Sequence, residues 1–364
     1  MKNILLLIVF ALITAIGLDA QPLSAYSTIR QEFYIFDNGA FNRVEPLIPR
    51  EYKIGRSGIA YVDNLNNFKI YKDGAVNTVS NFFTTDFQVS DNLIAYNNSK
   101  ILTVMDGSDV VLLSRLCSQY AMGDSVVLFY DLNKQTFNGY SNGNIVELEG
   151  FLNLDTTDFD FQQTVKVSDN IGAYINYNEQ FKVFYNGESE VLENQRIKEF
   201  KLGRNTMAYV DINNIFKIYH QGQVFQADPF MPKSFLVGDD VVAFQSSDGY
   251  FKIFYKGKMY TIGYYTPSYQ VKDWLVTFED LNGYFKVFYE GEQTMLENYY
   301  PDKFEIGYRS VAWINKANIL RMFSDGKLYE VSNASLNEMR LDYDVLQYKV
   351  GFNSFKMFYN GVYY

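Results

Sequence analysis

Five aspartates, Asp91, Asp124, Asp169, Asp239 and Asp273, each sit in a short polar turn between two apolar runs, at successive separations of 33, 45, 70 and 34 residues. A pair of such carboxylates could hydrolyse a glycoside, one as acid and the other as base or nucleophile. Aspartate is also favoured at turns because its side chain bonds the local backbone, and five equivalent copies suit that structural role. A second acidic set opens four other turns: Asp63-Asn64-Leu65-Asn66-Asn67, Asp131-Leu132-Asn133, Asp211-Ile212-Asn213-Asn214 and Asp280-Leu281-Asn282-Gly283. Each begins like a calcium loop but lacks the distal glutamate and the full ligand count, so turn formation is the expectation and no metal site is assigned.

Other chemistries have little material. The chain has one histidine, His220, beside the turn Tyr219-His220-Gln221-Gly222, and one cysteine, Cys117. A lone His220 beside a hairpin turn disfavours Ser-His-Asp triads, Cys-His pairs and histidine-rich zinc sites, and it reads as an exposed turn residue. Neither a phosphate-binding G-x-x-x-x-G-K-S/T loop nor an S-x-D-x-G-x-T-W box occurs. No catalytic residue and no cofactor is assigned.

The elements carrying these turns recur. Gly39, Gly74, Gly107, Gly143, Gly187, Gly222, Gly257, Gly291, Gly326 and Gly361 are separated by 35, 33, 36, 44, 35, 35, 34, 35 and 35 residues, so one unit is written ten times. In the clearest copy, residues 235–262, four short runs rich in Val, Ile, Phe and Tyr are divided by tight polar turns. Such runs are strands, here named a to d, and turns such as Asp73-Gly74 and Asn360-Gly361 suit two-residue hairpins with positive φ. The aromatic ending strand b lies 13 residues before the turn glycine in eight copies, among them Tyr61, Tyr209, Phe244 and Trp313, usually after an alanine. A small residue beside a large one suits sheets stacked face to face at interior density.

Four strands per unit, a period near 35 residues and no helical periodicity predict an all-β propeller of about ten small blades, the first lacking strand a. Two five-bladed rings, 21–195 and 196–364, are the alternative. The five aspartates then fall on the a–b turns, around the channel mouth. The unit resembles the TolB-type (WD-like) propeller repeat family in VSDNLIAY (89–96), VSDNIGAY (167–174) and VGDDVVAF (237–244), the last two followed further on by FKVFY and FKIFY. The resemblance spans roughly 21–364 and implies an innermost strand a. It also implies functions ranging from periplasmic protein binding to lids on peptidases, the latter needing a hydrolase domain that these residues do not supply.

Strand c repeats a basic residue: Lys69, Lys182, Lys217, Lys252, Lys286, Arg321 and Lys356. A cationic ring could bind an anionic polymer. The simpler expectation is that each stem packs on an aromatic while its head meets a carboxylate such as Glu149, Glu193 or Glu297.

Residues 1–20 read as a signal peptide, with Lys2, an apolar Ile4–Ile16 run too short for a membrane span, and Ala20 before the expected cleavage point; 21–364 is the repeat domain. Export to the periplasm or outside follows, without membrane insertion. Lys2 and Asp19 cancel, so the mature chain keeps the net charge of −10, which disfavours nucleic acid. Departures from the repeat are the most informative about function. These are the insertion near 150–163, with Asp155, Asp158 and Asp160, and the d–a connections with Phe82-Phe83, Phe230, Tyr264-Tyr265 and Tyr299-Tyr300. A four-strand meander puts d–a and b–c connections on one face. That face, through Phe230, Tyr264, Tyr265, Tyr299, Tyr300, Asp155, Asp158 and Asp160, is the expected contact for a protein, peptide or glycan, unless the aromatics merely plug gaps between blades. The functional expectation is a secreted or periplasmic, non-enzymatic binding propeller. A carboxylate glycoside hydrolase or lyase and a structural envelope protein are the alternatives.

Overall fold

The computed structural model of the protein describes residues 23–82, 86–150, 161–266, 268–334, 336–351 and 354–364. Ten antiparallel sheets follow one another along the chain, each a simple meander. The first (residues 23–45) has three strands, beginning at strand b (Leu23–Ser27). Blades 2 to 10 have four strands each and cover residues 51–80, 86–114, 117–149, 165–193, 199–228, 234–263, 269–297, 304–332 and 336–363. One helical turn, Phe161–Thr164, precedes blade 5.

The strands are short because the turns come often, and the c–d turns show why glycine recurs. Asp325 and Gly326 both hold positive φ, 46° and 77°, as a two-residue hairpin demands. Neighbouring blades bury apolar side chains between them. Blades 6 and 7 meet through Ala208, Phe216 and Ile218 on one side and Phe235, Val242, Phe244 and Phe254 on the other. The ring centroids of Phe216 and Phe244 lie 5.0 Å apart, and the alanine before the strand-b aromatic is what lets the rings interleave.

One ring, not two, results. Blades 5 and 6 share a core that includes Ile171, Phe181, Phe200 and Tyr209, and blade 10 closes on blade 1 through Phe36, Val345 and Met357. Blade 1 lacks strand a, and Arg340 of blade 10 reaches into that position. Its guanidinium donates to the Ala25 carbonyl (3.0 Å), the Tyr52 hydroxyl (3.1 Å) and Asp342 (2.5 Å).

Four of the seven strand-c cations, Lys69, Lys182, Lys217 and Arg321, are inter-blade fasteners, whereas Lys252 and Lys286 pair with Asp248 and Asp280 of their own b–c turns. Lys182 meets Glu149 at 2.7 Å, Lys217 meets Glu193 at 2.7 Å and Arg321 meets Glu297 at 3.1 Å, each glutamate coming from strand d of the preceding blade. The same glutamates accept from the strand-b aromatics, Tyr174, Tyr209 and Trp313. A β-bulge opposite the Phe-Lys step of strand c, as at Phe181/Lys182, lets the strand-d glutamate turn towards the next blade. The b–c aspartates are Asx turns: Asp63 Oδ1 accepts from the amides of Leu65 and Asn67, and Asp211 does the same for Asn213 and Ile215. His220 departs from expectation. It ends strand c, is buried, stacks edge-on against Phe254 and lies 2.9 Å from the Thr206 hydroxyl, because the last strand-c position faces the adjoining blade.

Candidate functional site: the axial mouth and the connecting face

Two surfaces carry the departures from repeat symmetry. The first is the end of the axis formed by the a–b turns. The turn residue five places before the strand-b aromatic is, in blade order from the second, Arg56, Asp91, Asp124, Asp169, Arg204, Asp239, Asp273, Tyr308 and Tyr343. Glycine precedes this position in five blades because the turns crowd the axis. A Cβ at Gly203 would lie 2.0 Å from the Gly238 carbonyl oxygen, and one at Gly307 would lie 1.7 Å from that of Tyr343.

That crowding drives the five aspartates together. The Arg204 guanidinium stretches across the axis to Asp124 (2.5 Å), Asp239 (3.3 Å), Asp169 (3.5 Å) and Asp91 (3.9 Å). Arg56 lies 3.7 Å from Asp91 and stacks over the Tyr308 ring at 4.7 Å. The Asp124 side chain lies beside that of Asp169, and Asp169 beside Asp239, close enough for each to shift the other's titration. Burial first, and neighbouring carboxylates second, push Asp124 up to about 7 and Asp91 to about 6. Burial likewise raises Asp169 and Asp239 to about 6 and Asp273 to about 7. Burial opposes the Arg204 charge, but Asp169 and Asp239 more than offset it, and its pKa rises. Beside the cluster lies a cavity of about 340 Å³ lined by Asp91, Asp124, Asp169, Asp273, Lys272, Tyr308, Asp342 and Tyr343, with Ile54 and Leu341. Reading only the aspartates of this repeat position misses Arg56, Arg204, Tyr308 and Tyr343; counting back five from each strand-b aromatic finds them.

The second surface is the opposite face, made by the b–c and d–a connections. Phe230, Tyr264 and Tyr265 are 64%, 61% and 48% exposed, in two consecutive d–a connections. Asp228 positions Phe230 by accepting its amide (3.0 Å) while also accepting from the Ser247 hydroxyl of the next blade (2.9 Å). Tyr264 stands edge-on to Tyr250, with centroids 5.4 Å apart. Tyr265 lines a cavity of about 180 Å³ with Leu281 and Lys286. Tyr299 and Tyr300, in the next connection, are half-buried and line a wider cleft of about 990 Å³ with Phe304, Lys316 and Met339. Tyr300 packs against Phe285 and Phe304, and Lys316 covers the Tyr299 ring at 4.1 Å. The apolar tips of the Asx turns, Leu65, Ile212 and Leu281, are also exposed on this face. Asp155, Asp158 and Asp160 lie outside the described residues.

The closed ring of radial four-stranded blades, with a charged axial mouth, defines a β-propeller. The chain matches a 10-bladed beta propeller domain over residues 17–364, and belongs to that family. Among solved structures it is similar to the computationally designed Ika8 protein (TM-score 0.34, 11% identity, 85% of this chain and 95% of that one). It is also similar to Hsv2p of Kluyveromyces lactis (TM-score 0.33, 11% identity, 68% and 96%) and to the CRINKLY WD40 ectodomain of the Arabidopsis thaliana receptor kinase ACR4 (TM-score 0.33, 11% identity, 68% and 98%). No curated protein matches the chain in sequence.

Proposed function

We propose that this protein is an exported, non-enzymatic propeller that binds a protein, peptide or glycan partner on its b–c/d–a face. The observation that carries this reading is the group of exposed aromatics, Phe230, Tyr264 and Tyr265, on the connections between blades 6, 7 and 8. Large apolar side chains left in water on one face, rimmed by Asp and Asn, are the composition of an interface core. The strand-c cations do not compete for the role, since Lys69, Lys182, Lys217 and Arg321 are already paired with glutamates. Four of the five axial aspartates, Asp91, Asp124, Asp169 and Asp239, are engaged with Arg204, an arrangement better suited to holding charge than to flanking a glycosidic bond. Export is supported by the order Lys2, Ile4–Ile16, Ala20, and kinship with TolB-type propellers by the VSDN-type motifs.

The test compares Phe230→Ala combined with Tyr264→Ala, Tyr265→Ala alone, and Lys252→Ala, in capture of partners from envelope extract and on a glycan array. An aromatic anchor is worth ~2 kcal/mol, about thirtyfold in affinity, so the aromatic variants weaken capture without lowering the melting temperature. Lys252→Ala lowers stability slightly and leaves affinity unchanged. Normal binding by the aromatic variants together with loss of binding in Lys252→Ala overturns the assignment of the face.

A further inference from the structure

The axial cavity lies at the far end of the molecule from the exposed aromatics, and its chemistry is distinct. Its walls present carboxylates from five different blades, Asp91, Asp124, Asp169, Asp273 and Asp342. Most have a protein partner. Asp124 Oδ1 accepts the Asp91 amide (3.0 Å), and Asp239 Oδ1, just outside the cavity, accepts that of Arg204 (3.2 Å). Asp273 is the exception. The Asp239 amide bonds its backbone carbonyl at 2.6 Å, and its carboxylate takes no hydrogen bond or ion pair among the described residues. That carboxylate is crowded by the surrounding protein, and its oxygens open on the cavity that it lines. Only the Lys272 charge tempers it from nearby, so a cation entering the cavity gains its attraction.

The structure already contains one occupant of this environment. The Arg204 guanidinium bridges carboxylates of blades 3, 4, 5 and 7, so a planar or tetrahedral nitrogen cation fits the spacing of the ring. Beside it the space of about 340 Å³ is too large for a bare ion and falls at the small end of ligand pockets. Among the described residues no three acidic, histidine or cysteine side chains are grouped to hold a metal ion. Tyr308 and Tyr343 add aromatic walls, and a Tyr308 face already carries the Arg56 guanidinium at 4.7 Å.

We propose that this cavity binds an organic cation, a guanidinium or alkylammonium group carried either by a small amine or by a basic side chain of a partner protein, with Asp273 as its principal counter-ion. The other charged groups facing the cavity are Lys272 and Asp342, and Arg56 and Arg204 complete the rim. Because the carboxylates hold protons in weakly acidic solution, binding strengthens as pH rises from about 5 to about 8.

The experiment is calorimetric titration of the full chain near pH 8 with agmatine and, separately, with the peptide Gly-Arg-Gly, at constant ionic strength, using n-butanol as the uncharged comparison. Saturable binding of either cation supports the site, and which of them binds more tightly separates a free amine from a partner's side chain. Asp273→Asn, which breaks no existing bond, weakens the affinity about tenfold or more, whereas Lys252→Ala does not change it. Asp91→Asn gives a second weakened variant should the first fold poorly. Absence of saturable binding by both cations, equal binding of n-butanol, or full affinity in a folded Asp273→Asn protein overturns the proposal. None of these outcomes depends on the aromatic face.

Discussion

Raising the pH should loosen this protein in the range where most proteins are indifferent. The cause is the axial mouth, where Asp124 and Asp273 are pushed from an ordinary 3.8 to about 7 and Asp91, Asp169 and Asp239 to about 6, burial being the first cause in each. A carboxyl whose folded pKa lies above its unfolded value binds its proton more tightly in the fold. Its contribution is therefore fully present below about pH 4 and is lost as pH rises through 6 and 7. One pKa unit corresponds to ~1.4 kcal/mol, so Asp124 alone could carry about 4 kcal/mol. The five do not add, because Asp124, Asp169 and Asp239 titrate together and Arg204 stabilises the ionised forms. A loss of about 3–6 kcal/mol between pH 5 and pH 8 is the consistent range, and for a chain of this size it corresponds to roughly 4–8 °C in melting temperature.

The opposing groups act lower on the scale. Asp63 is held down to about 2, its Asx-turn hydrogen bonds and Lys69 outweighing the burial that would raise it, and Asp211 and Asp280 are lowered in the same way. Their contribution is present above about pH 4 and is lost as pH falls below it, so maximum stability should lie near pH 4–5. Melting followed by far-ultraviolet circular dichroism from pH 4 to pH 8 measures the slope. Asp124→Asn tests its origin: the amide oxygen can still accept the Asp91 N–H while the NH₂ replaces the oxygen that Arg204 holds, so stability falls at low pH and the decline with pH flattens. A melting temperature that rises or stays level from pH 5 to pH 8, or an unchanged slope in Asp124→Asn, refutes the reasoning.

Three further outcomes follow from the same geometry. Gly203→Ala should cost at least about 3 kcal/mol in urea titration, because its Cβ would meet the Gly238 carbonyl at 2.0 Å, whereas Gly150→Ala, with open space around it, should be neutral. Arg340→Met should lower stability by about 1–3 kcal/mol and expose the junction of blades 10 and 1 to limited proteolysis, since it removes the bonds to Ala25 and Tyr52 that stand in for the absent strand. Export predicts that intact mass from the native host lacks residues 1–20; retention of Met1 in a cytoplasmic fraction would defeat it.

Much of the architecture was legible because a repeat states the same structural instruction ten times. The c–d glycines marked every hairpin, the three-stranded first blade followed from Leu23–Ser27 reading as strand b, and the carboxylate partners of Lys182, Lys217 and Arg321 could be named from spacing alone. Other features were hidden because they depend on what faces what across the ring. Nothing local to Tyr300 says that it packs on Phe304 while Tyr264 stays exposed, since both sit in similar polar connections. His220 looked like a turn residue because it adjoins one, yet its direction is set by the pleat of strand c and the next blade's Phe254. The convergence of Arg204 on Asp91, more than 100 positions earlier, depends on ring closure and on the narrowness that Gly203 and Gly307 permit at the axis.

Structural and chemical readings of the axial aspartates are not rivals. Asp124 and Asp239 recur because a carboxylate at this position caps the turn amide of the preceding blade, which suffices to repeat the residue. Blade 10 shows the rule by breaking it. Tyr343 takes the axial place there, and Asp344, one residue later, caps the Arg309 amide at 2.7 Å instead. Once a narrow axis gathers such caps, their charges accumulate faster than the fold can compensate them, and only Arg56 and Arg204 among the nine axial positions are cationic. Asp91, Asp169 and Asp273 cap no such amide among the described residues, and of the three only Asp273 also lacks an arginine partner there. A residue that keeps the repeat's identity but not its repeated task is where a shared structural solution has become available for binding.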